Sequence, residues 1–353
     1  MKKAKNLILF LLAIILLFNS AVAHAHENYV LTHQQIQADL KDNTFSVWSA
    51  LNNSGNIEVA LAVGTISIIG IILYFLFFYS KFGKILDFYL QKLEPMGHVI
   101  LRMALGASLI ASAHFNSFLG PEIPLISLPL GIILKPILYI LGAMIALGVW
   151  SEMAGAISFI LLVISSSIYR DYMLTYFNYF GEFLVLMIFG SRIFSLDRIL
   201  YKVKLSAEKY HDLELAIIRV TYGISVIYPA ITYKLLHPAI IVNIVNQYNL
   251  NQITWLFPHD PLLISLGTGL TQIAVGVFLI LGFETRLSAL VTLVLMTMSV
   301  LFFKEAVWPH YILLSLALYL IINNGGKYGL DEYFKKSDPE LSLSSSPSKI
   351  ANE

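Results

Sequence analysis

Leu262–Gly282 reads LLISLGTGLTQIAVGVFLILG, a run with no charged residue and with Gln272 as its most polar side chain. A run of this length and polarity forms a helix across about 30 Å of hydrocarbon, because backbone in lipid has to satisfy its own N–H and C=O groups. Further apolar runs lie at about 57–79, 98–118, 131–149, 153–169, 173–190, 213–233, 287–303 and 307–322. The expected fold class is an all-α membrane protein, a polytopic helical bundle. Composition agrees: 57% of the 353 residues are apolar, 13% are charged, and the mean hydropathy is +0.74. Lipid rather than water is the solvent of such a surface. A net charge of +1 leaves no basic excess for nucleic acid and no acidic partner tail. With no cysteine in the chain, disulfides, thiolate metal sites, Cys-ligated clusters and thiol nucleophiles are excluded. Redox chemistry would need a bound cofactor.

The ends set the topology. Residues 1–25 read as a signal peptide: Lys2, Lys3 and Lys5 precede the apolar run Asn6–Phe18, and Ala21, Ala23 and Ala25 supply small residues for cleavage before His24 or His26. Residues 26–56 form a polar periplasmic segment, expected as an exposed cap, and 57–80 a leading transmembrane helix. On one side of the membrane the connectors carry Lys81, Lys84, Lys92, Arg192, Arg198, Lys202, Lys204, Lys209 and Arg286, with Lys327, Lys335, Lys336 and Lys349 beyond the last run. The other side carries Lys41, Arg170, Lys234 and Lys304, with Lys135 near a span end. Positive-inside bias then predicts an inner-membrane protein with a periplasmic mature N-terminus and a cytoplasmic C-terminus. Residues 335–353, rich in serine toward the end, are expected to be a disordered cytoplasmic tail.

An internal repeat organises the remainder. A shift of 134 places Leu147-Gly148 on Leu281-Gly282, Arg170-Asp171 on Lys304-Glu305, and Phe194-Ser195-Leu196-Asp197 on Tyr328-Gly329-Leu330-Asp331. Upstream, Arg102 and Gly106 match Arg219 and Gly223 at a shift of 117, so the second copy is longer in its first outer loop, Lys234 to Pro261. Two parallel four-helix repeats are expected, 98–200 and 213–334, related by an axis along the membrane normal.

At these residues the chain resembles the DoxX-like membrane family. The second copy is similar throughout: Arg219, Gly223, Gly276, Leu281-Gly282, Thr285-Arg286-Leu287-Ser288-Ala289 and the close Gly325-Gly326-Lys327-Tyr328-Gly329-Leu330-Asp331. The first copy keeps Arg102, Gly106, Leu147-Gly148 and Leu196-Asp197. The resemblance implies a tandem four-helix membrane protein related to quinone-linked oxidoreductase subunits, such as a membrane subunit of thiosulfate:quinone oxidoreductase. Family members often carry Glu where this chain has Gln272, and the first copy has Leu138 there, so no carboxylate carries protons at that position. Gln can hydrogen-bond a quinone carbonyl or a neighbouring helix but cannot titrate.

Polar groups within the apolar runs are the candidate site residues. Glu182, after Gly181, reads either as a proton relay or cation site, or as a structural group paired with Arg102 or Arg219 or held neutral. Arg102 and Arg219 read as snorkelling to headgroups or as quinone or anion ligands. Arg170-Asp171, Lys304-Glu305 and Trp308-Pro309-His310-Tyr311 read as an interface belt, or with His114, Glu122, His237, His259 and Asp260 as a headgroup pocket. His114 and His310, expected at similar depth on different helices, meet the minimum for a bis-His haem, with no recognisable partners to orient the imidazoles. Cleavage before His24 leaves His24-Ala25-His26, whose amine, backbone nitrogens and imidazole suit copper(II) or nickel(II). Cleavage before His26 leaves a different copper chelate with Glu27 and His33 nearby. Phosphate-binding loops, zinc-protease helices and nucleophile elbows are absent. The expected function is an accessory or quinone-interacting subunit of a membrane oxidoreductase, with a redox partner protein and the lipid bilayer as partners and no nucleic acid. The alternatives are a small-solute carrier and an assembly factor.

Overall fold

In the computed structural model the described residues are 31, 33–129, 131–191, 194–201, 210–253, 256–303 and 308–337. The signal-like start with His24 and His26, the cations Arg192, Lys202, Lys204 and Lys209, Lys304-Glu305, and residues 338–353 lie outside them. The helices are α1 His33–Asp39, α2 Ser54–Tyr79, α3 Lys81–His114, α4 Gly131–Leu147, α5 Ser151–Tyr169, α6 Phe177–Phe189, α7 Leu196–Tyr201, α8 His211–Pro229, α9 Pro238–Gln247, α10 Pro261–Leu281, α11 Thr285–Phe303, α12 Trp308–Asn323 and α13 Leu330–Ser337. A short antiparallel pair, β1 Ser117–Phe118 with β2 Gly120–Pro124, follows α3. Among the described residues, six helical stretches are long and apolar enough to cross a membrane, and α4 and most of α12 add two shorter apolar helices. The protein is an all-α, multi-pass membrane protein.

The stretch 151–189 is a hairpin: α5 stops at Tyr169, Arg170 takes a positive φ of 49°, and a 3-10 turn Arg170–Tyr176 leads into α6. At 13 residues α6 spans only ~20 Å, so the 3-10 turn supplies the rest of the crossing. The connector expected between 80 and 98 is instead helical, and α3 runs unbroken for 34 residues through Pro95. The reason lies in its side chains. Phe82, Ile85, Leu86, Tyr89 and Leu93 recur at helical spacing among Lys84, Asp87, Gln91 and Lys92, and Ser80 caps the start by accepting from the Gly83 N–H.

Eight helices close a circuit. α3 packs along α4 and α12, α8 along α10 and α6, α5 along α6, and α11 along α12, with lighter contacts between α4 and α5 and between α10 and α11. A single core runs through all of them, with Leu109, Leu138, Leu162, Phe183, Ile218, Leu279, Ala289 and Leu316 fully buried. One end of this bundle gathers the turns after α4, α6, α10 and α12 and is called the basic end. The other, the far end, gathers the β-hairpin, the Arg170 turn and α9.

Residues 31–53 are not merely an exposed cap. Leu31 and Ile36 pack on Ile240 and Ile244 of α9, and Val47 and Ala50 on Leu263 and Leu266 of α10. Asn56 Nδ2 donates to Asp260 Oδ2 at 2.6 Å, and Asn243 Nδ2 to Asp39 at 2.7 Å. Burying these apolar residues offsets the ordering of an otherwise polar segment. The leading helix α2 is different: none of its most apolar stretch is buried, and Leu61, Ile66, Leu73 and Leu76 face outward for lipid to cover.

Candidate functional site

At the basic end, matching residues hold two groups of helices, one around α3 and α4 and the other around α8 and α10. In the first, α3 and α4 cross at glycines: a Cβ on Gly106 would lie 2.6 Å from Gly142 O, and one on Gly142 would lie 2.7 Å from Gly106 O. In the second, Gly223 and Gly276 bring α8 and α10 together in the same way, at 2.6 and 2.8 Å. Gly148 (φ 68°) and Gly282 (φ 64°) end α4 and α10 in the left-handed conformation, which only glycine adopts without strain. Their carbonyls accept from the backbone N–H of Asp197 and Asp331, both at 3.0 Å. The carboxylates of those aspartates cap the following helices: Asp197 accepts from Ser151 N, and Asp331 from Glu284 N and Thr285 N.

The two arginines complete this clasp. Arg102 Nη2 donates to Phe194 O at 2.9 Å, while Arg219 donates from Nη1 to Gly325 O at 2.9 Å and from Nη2 to Tyr328 O at 2.8 Å. Arg102 is 8% exposed and Arg219 1%, so the headgroup-snorkelling expectation gives way to buried structural donors. Their carbonyl partners at turns outside regular helix would otherwise lack donors. Beside them Lys327 pairs with Asp212 at 2.9 Å, and that hydrogen bond raises the ammonium pKa above its ordinary value.

Two cavities hold further polar groups. The smaller, about 40 Å³, lies between α3, α6 and α8 and is lined by Arg102, Glu182, Ser191, His98 and Glu214 among apolar neighbours. It has room for roughly three waters at ~10–15 Å³ each. Glu182 is 2% exposed; its Oε1 accepts from Asn178 Nδ2 at 3.0 Å, and its Oε2 is buried without a hydrogen bond from the protein. Glu182 therefore shares a cavity with Arg102, and Arg219 is engaged elsewhere. Sequence reading did not single out the adjoining network. His98 Nδ1 lies 2.9 Å from Glu214 Oε1, which also accepts from Tyr319 Oη at 3.0 Å, and His211 Nε2 lies 3.3 Å from Glu94 Oε1. These residues come from helices far apart in the chain, and only the spacings Glu94 to His98 and His211 to Glu214 hint at shared helix faces.

The larger cavity, about 230 Å³, sits toward the far end among α8, α10, α11 and α12, with α9 over it. Its walls are mainly Val226, Ile240, Ile244, Leu295, Met298 and Phe302, with Gln272, His310, Thr175, Thr268 and Lys234 as polar members. Pro229 ends α8, and the chain continues as a π-helical turn, Ala230–Leu236, which carries Tyr233 and Lys234 into the wall. Gln272 Oε1 and Thr175 Oγ1 are buried and accept no hydrogen bond from the protein.

Among the expected site residues, Gln272 and His310 meet in the large cavity, Arg102 and Glu182 meet in the small one, and Arg219 belongs to the clasp. His114 is exposed at the end of α3 with its ring against Phe115, whereas His310 near the start of α12 is 2% exposed. Glu122 accepts from Tyr176 Oη at 2.5 Å at the far end, and Asp260 caps α10. His33 begins α1.

Residues 215–305 match the family model described as DoxX, from within α8 to the end of α11. Neither a curated protein nor a solved structure matches the chain.

Proposed function

For a DoxX-like membrane protein with this interior, we propose a quinone-interacting accessory subunit of an inner-membrane oxidoreductase, built as two tandem four-helix units, and the large cavity of the second unit as the headgroup site. The observation that carries this reading is the pairing of a mostly apolar 230 Å³ space with Gln272 and Thr175, whose buried oxygens have no protein donor. Apolar walls with a few convergent polar groups are what a lipophilic ring with carbonyl oxygens requires. Gln272 Nε2 can donate to one carbonyl and Thr175 Oγ1 can do the same, while the side-chain oxygens serve a hydroquinone hydroxyl after reduction. Neither Gln272 nor Thr175 titrates, in keeping with a binding rather than a catalytic role. The basic connectors orient the clasp end to the cytoplasm and this cavity to the periplasmic half.

Purification in mild detergent, followed by mass spectrometry of extracted quinones and co-purifying proteins, tests the reading. Bound quinone in near-stoichiometric amount is expected, reduced about tenfold in Gln272→Leu, the loss of roughly one buried hydrogen bond. A folded protein with neither extracted quinone nor saturable binding of a short-chain quinone overturns it. Glu182 supports a second reading as a carrier, since it lines a cavity with room for about three waters and its buried Oε2 has no hydrogen bond from the protein. Solute flux that disappears in Glu182→Gln would favour that reading.

A further inference from the structure

The network around the small cavity has the composition of a metal site. His98, His211 and Glu214 each present a donor atom, and the three atoms lie within 4.8 Å of one another. Glu94 and His98 stand one turn apart on α3, and His211 and Glu214 one turn apart on α8, so two helix faces meet with a Glu and a His from each. Glu214 is 3% exposed at its side chain, His98 11% and His211 18%, which places the donors at the edge of the bundle interior with a path to solvent.

We infer that His98, His211 and Glu214 bind one divalent transition-metal ion of the zinc type between the first helices of the two units. A His₂Glu set is an established zinc ligand combination, with the fourth position left to water. Two of the three ligands, His98 and Glu214, line the 40 Å³ cavity, which supplies room for that water. Bonds of ~2.0–2.2 Å put tetrahedral ligand atoms about 3.3–3.6 Å apart, a closure from 4.8 Å within reach of side-chain torsions. His98 Nδ1 faces Glu214 Oε1, so the ion takes the place of the proton between them, and the neutral imidazole carries its proton on Nε2. Glu94 orients the His211 ring, and Tyr319 holds Glu214, as outer partners of metal-bound His and carboxylate do.

The test uses the full chain in detergent, stripped with chelator and titrated with Co²⁺ alone while visible absorption is followed, then with Zn²⁺ in competition. One Co²⁺ per chain is expected, with the intense absorption of a four-coordinate site, displaced by Zn²⁺. Binding weakens by roughly two orders of magnitude in His98→Ala and in Glu214→Gln, and about tenfold in Glu94→Gln. It is unchanged in His237→Ala. A thermal unfolding midpoint that rises with Zn²⁺ in the unsubstituted protein provides a readout independent of any variant's ability to fold. The inference is overturned by a folded protein with no saturable Co²⁺ absorption. It is equally overturned if binding persists in His98→Ala but disappears in His26→Ala, which would place the ion at the N-terminus.

Discussion

A guanidinium that donates to Gly325 O and Tyr328 O at once does something an ammonium cannot. Its planar fork spans two carbonyls, whereas lysine reaches one as a point charge. Arg219→Lys therefore leaves a buried carbonyl without a donor and is expected to lower stability by about 1–3 kcal/mol, and Arg219→Gln by about 3–5 kcal/mol, measured by unfolding in detergent. Equal stability of the Lys variant would return Arg219 to a headgroup anchor, a role lysine fills equally well. The repeated arginine was visible in the sequence, but its partners were not. The acceptors lie about a hundred positions downstream, in turns whose carbonyl directions depend on where α12 ends. The metal-like set His98, His211 and Glu214 was hidden for the same reason, since nothing in the chain announces that α3 and α8 face each other.

Within helices, the glycines sort by what stands opposite them. Gly223 meets the backbone of α10 and a Cβ there would lie 2.6 Å from Gly276 O, whereas Gly267 on α10 has open space. Gly223→Ala is expected to force α8 and α10 apart at a cost of about 1–3 kcal/mol, and Gly267→Ala to be neutral or slightly stabilising. Thermal unfolding of the pair in the same detergent separates them, and equal effects would show that the close crossing is unimportant. The apolar runs were legible because lipid demands length and hydrophobicity, and those within the described residues lie in helices or at their edges. Residues 80–97 were not, because an amphipathic helix and a charged connector share one composition; the distinction lies in spacing and in the Ser80 cap. Residues 31–53 misled for a related reason: four buried side chains on α9 and α10 hold a segment whose average is polar.

At the scale of the molecule, the arrangement rests on which helices close the circuit. α3 contacts α4, its neighbour in the chain, and α12 from far along it, while α6 and α8 close the circuit through the middle. Helices packed without that closure would leave α3 and α12 facing lipid, and the His98 and Glu214 groups would have no common neighbour. A chain without native cysteine allows a direct test. A Cβ built on Gly97 lies 3.5 Å from Asn323 Cγ, the position the sulfur of a cysteine at 323 would take, which puts a Gly97→Cys, Asn323→Cys pair within reach of a disulfide. The substitution at 323 also removes the amide that crowds position 97. The double variant, with a protease site inserted between 201 and 210, is expected to stay one covalent species after cleavage under non-reducing conditions and to separate into two on reduction. Either single variant should separate in both. If the cleaved double variant separates without reductant, α3 and α12 are not neighbours in the membrane. The proposed metal site between α3 and α8 would then lose its geometry, whereas the larger cavity, built almost wholly from α8 to α12, would stand unchanged.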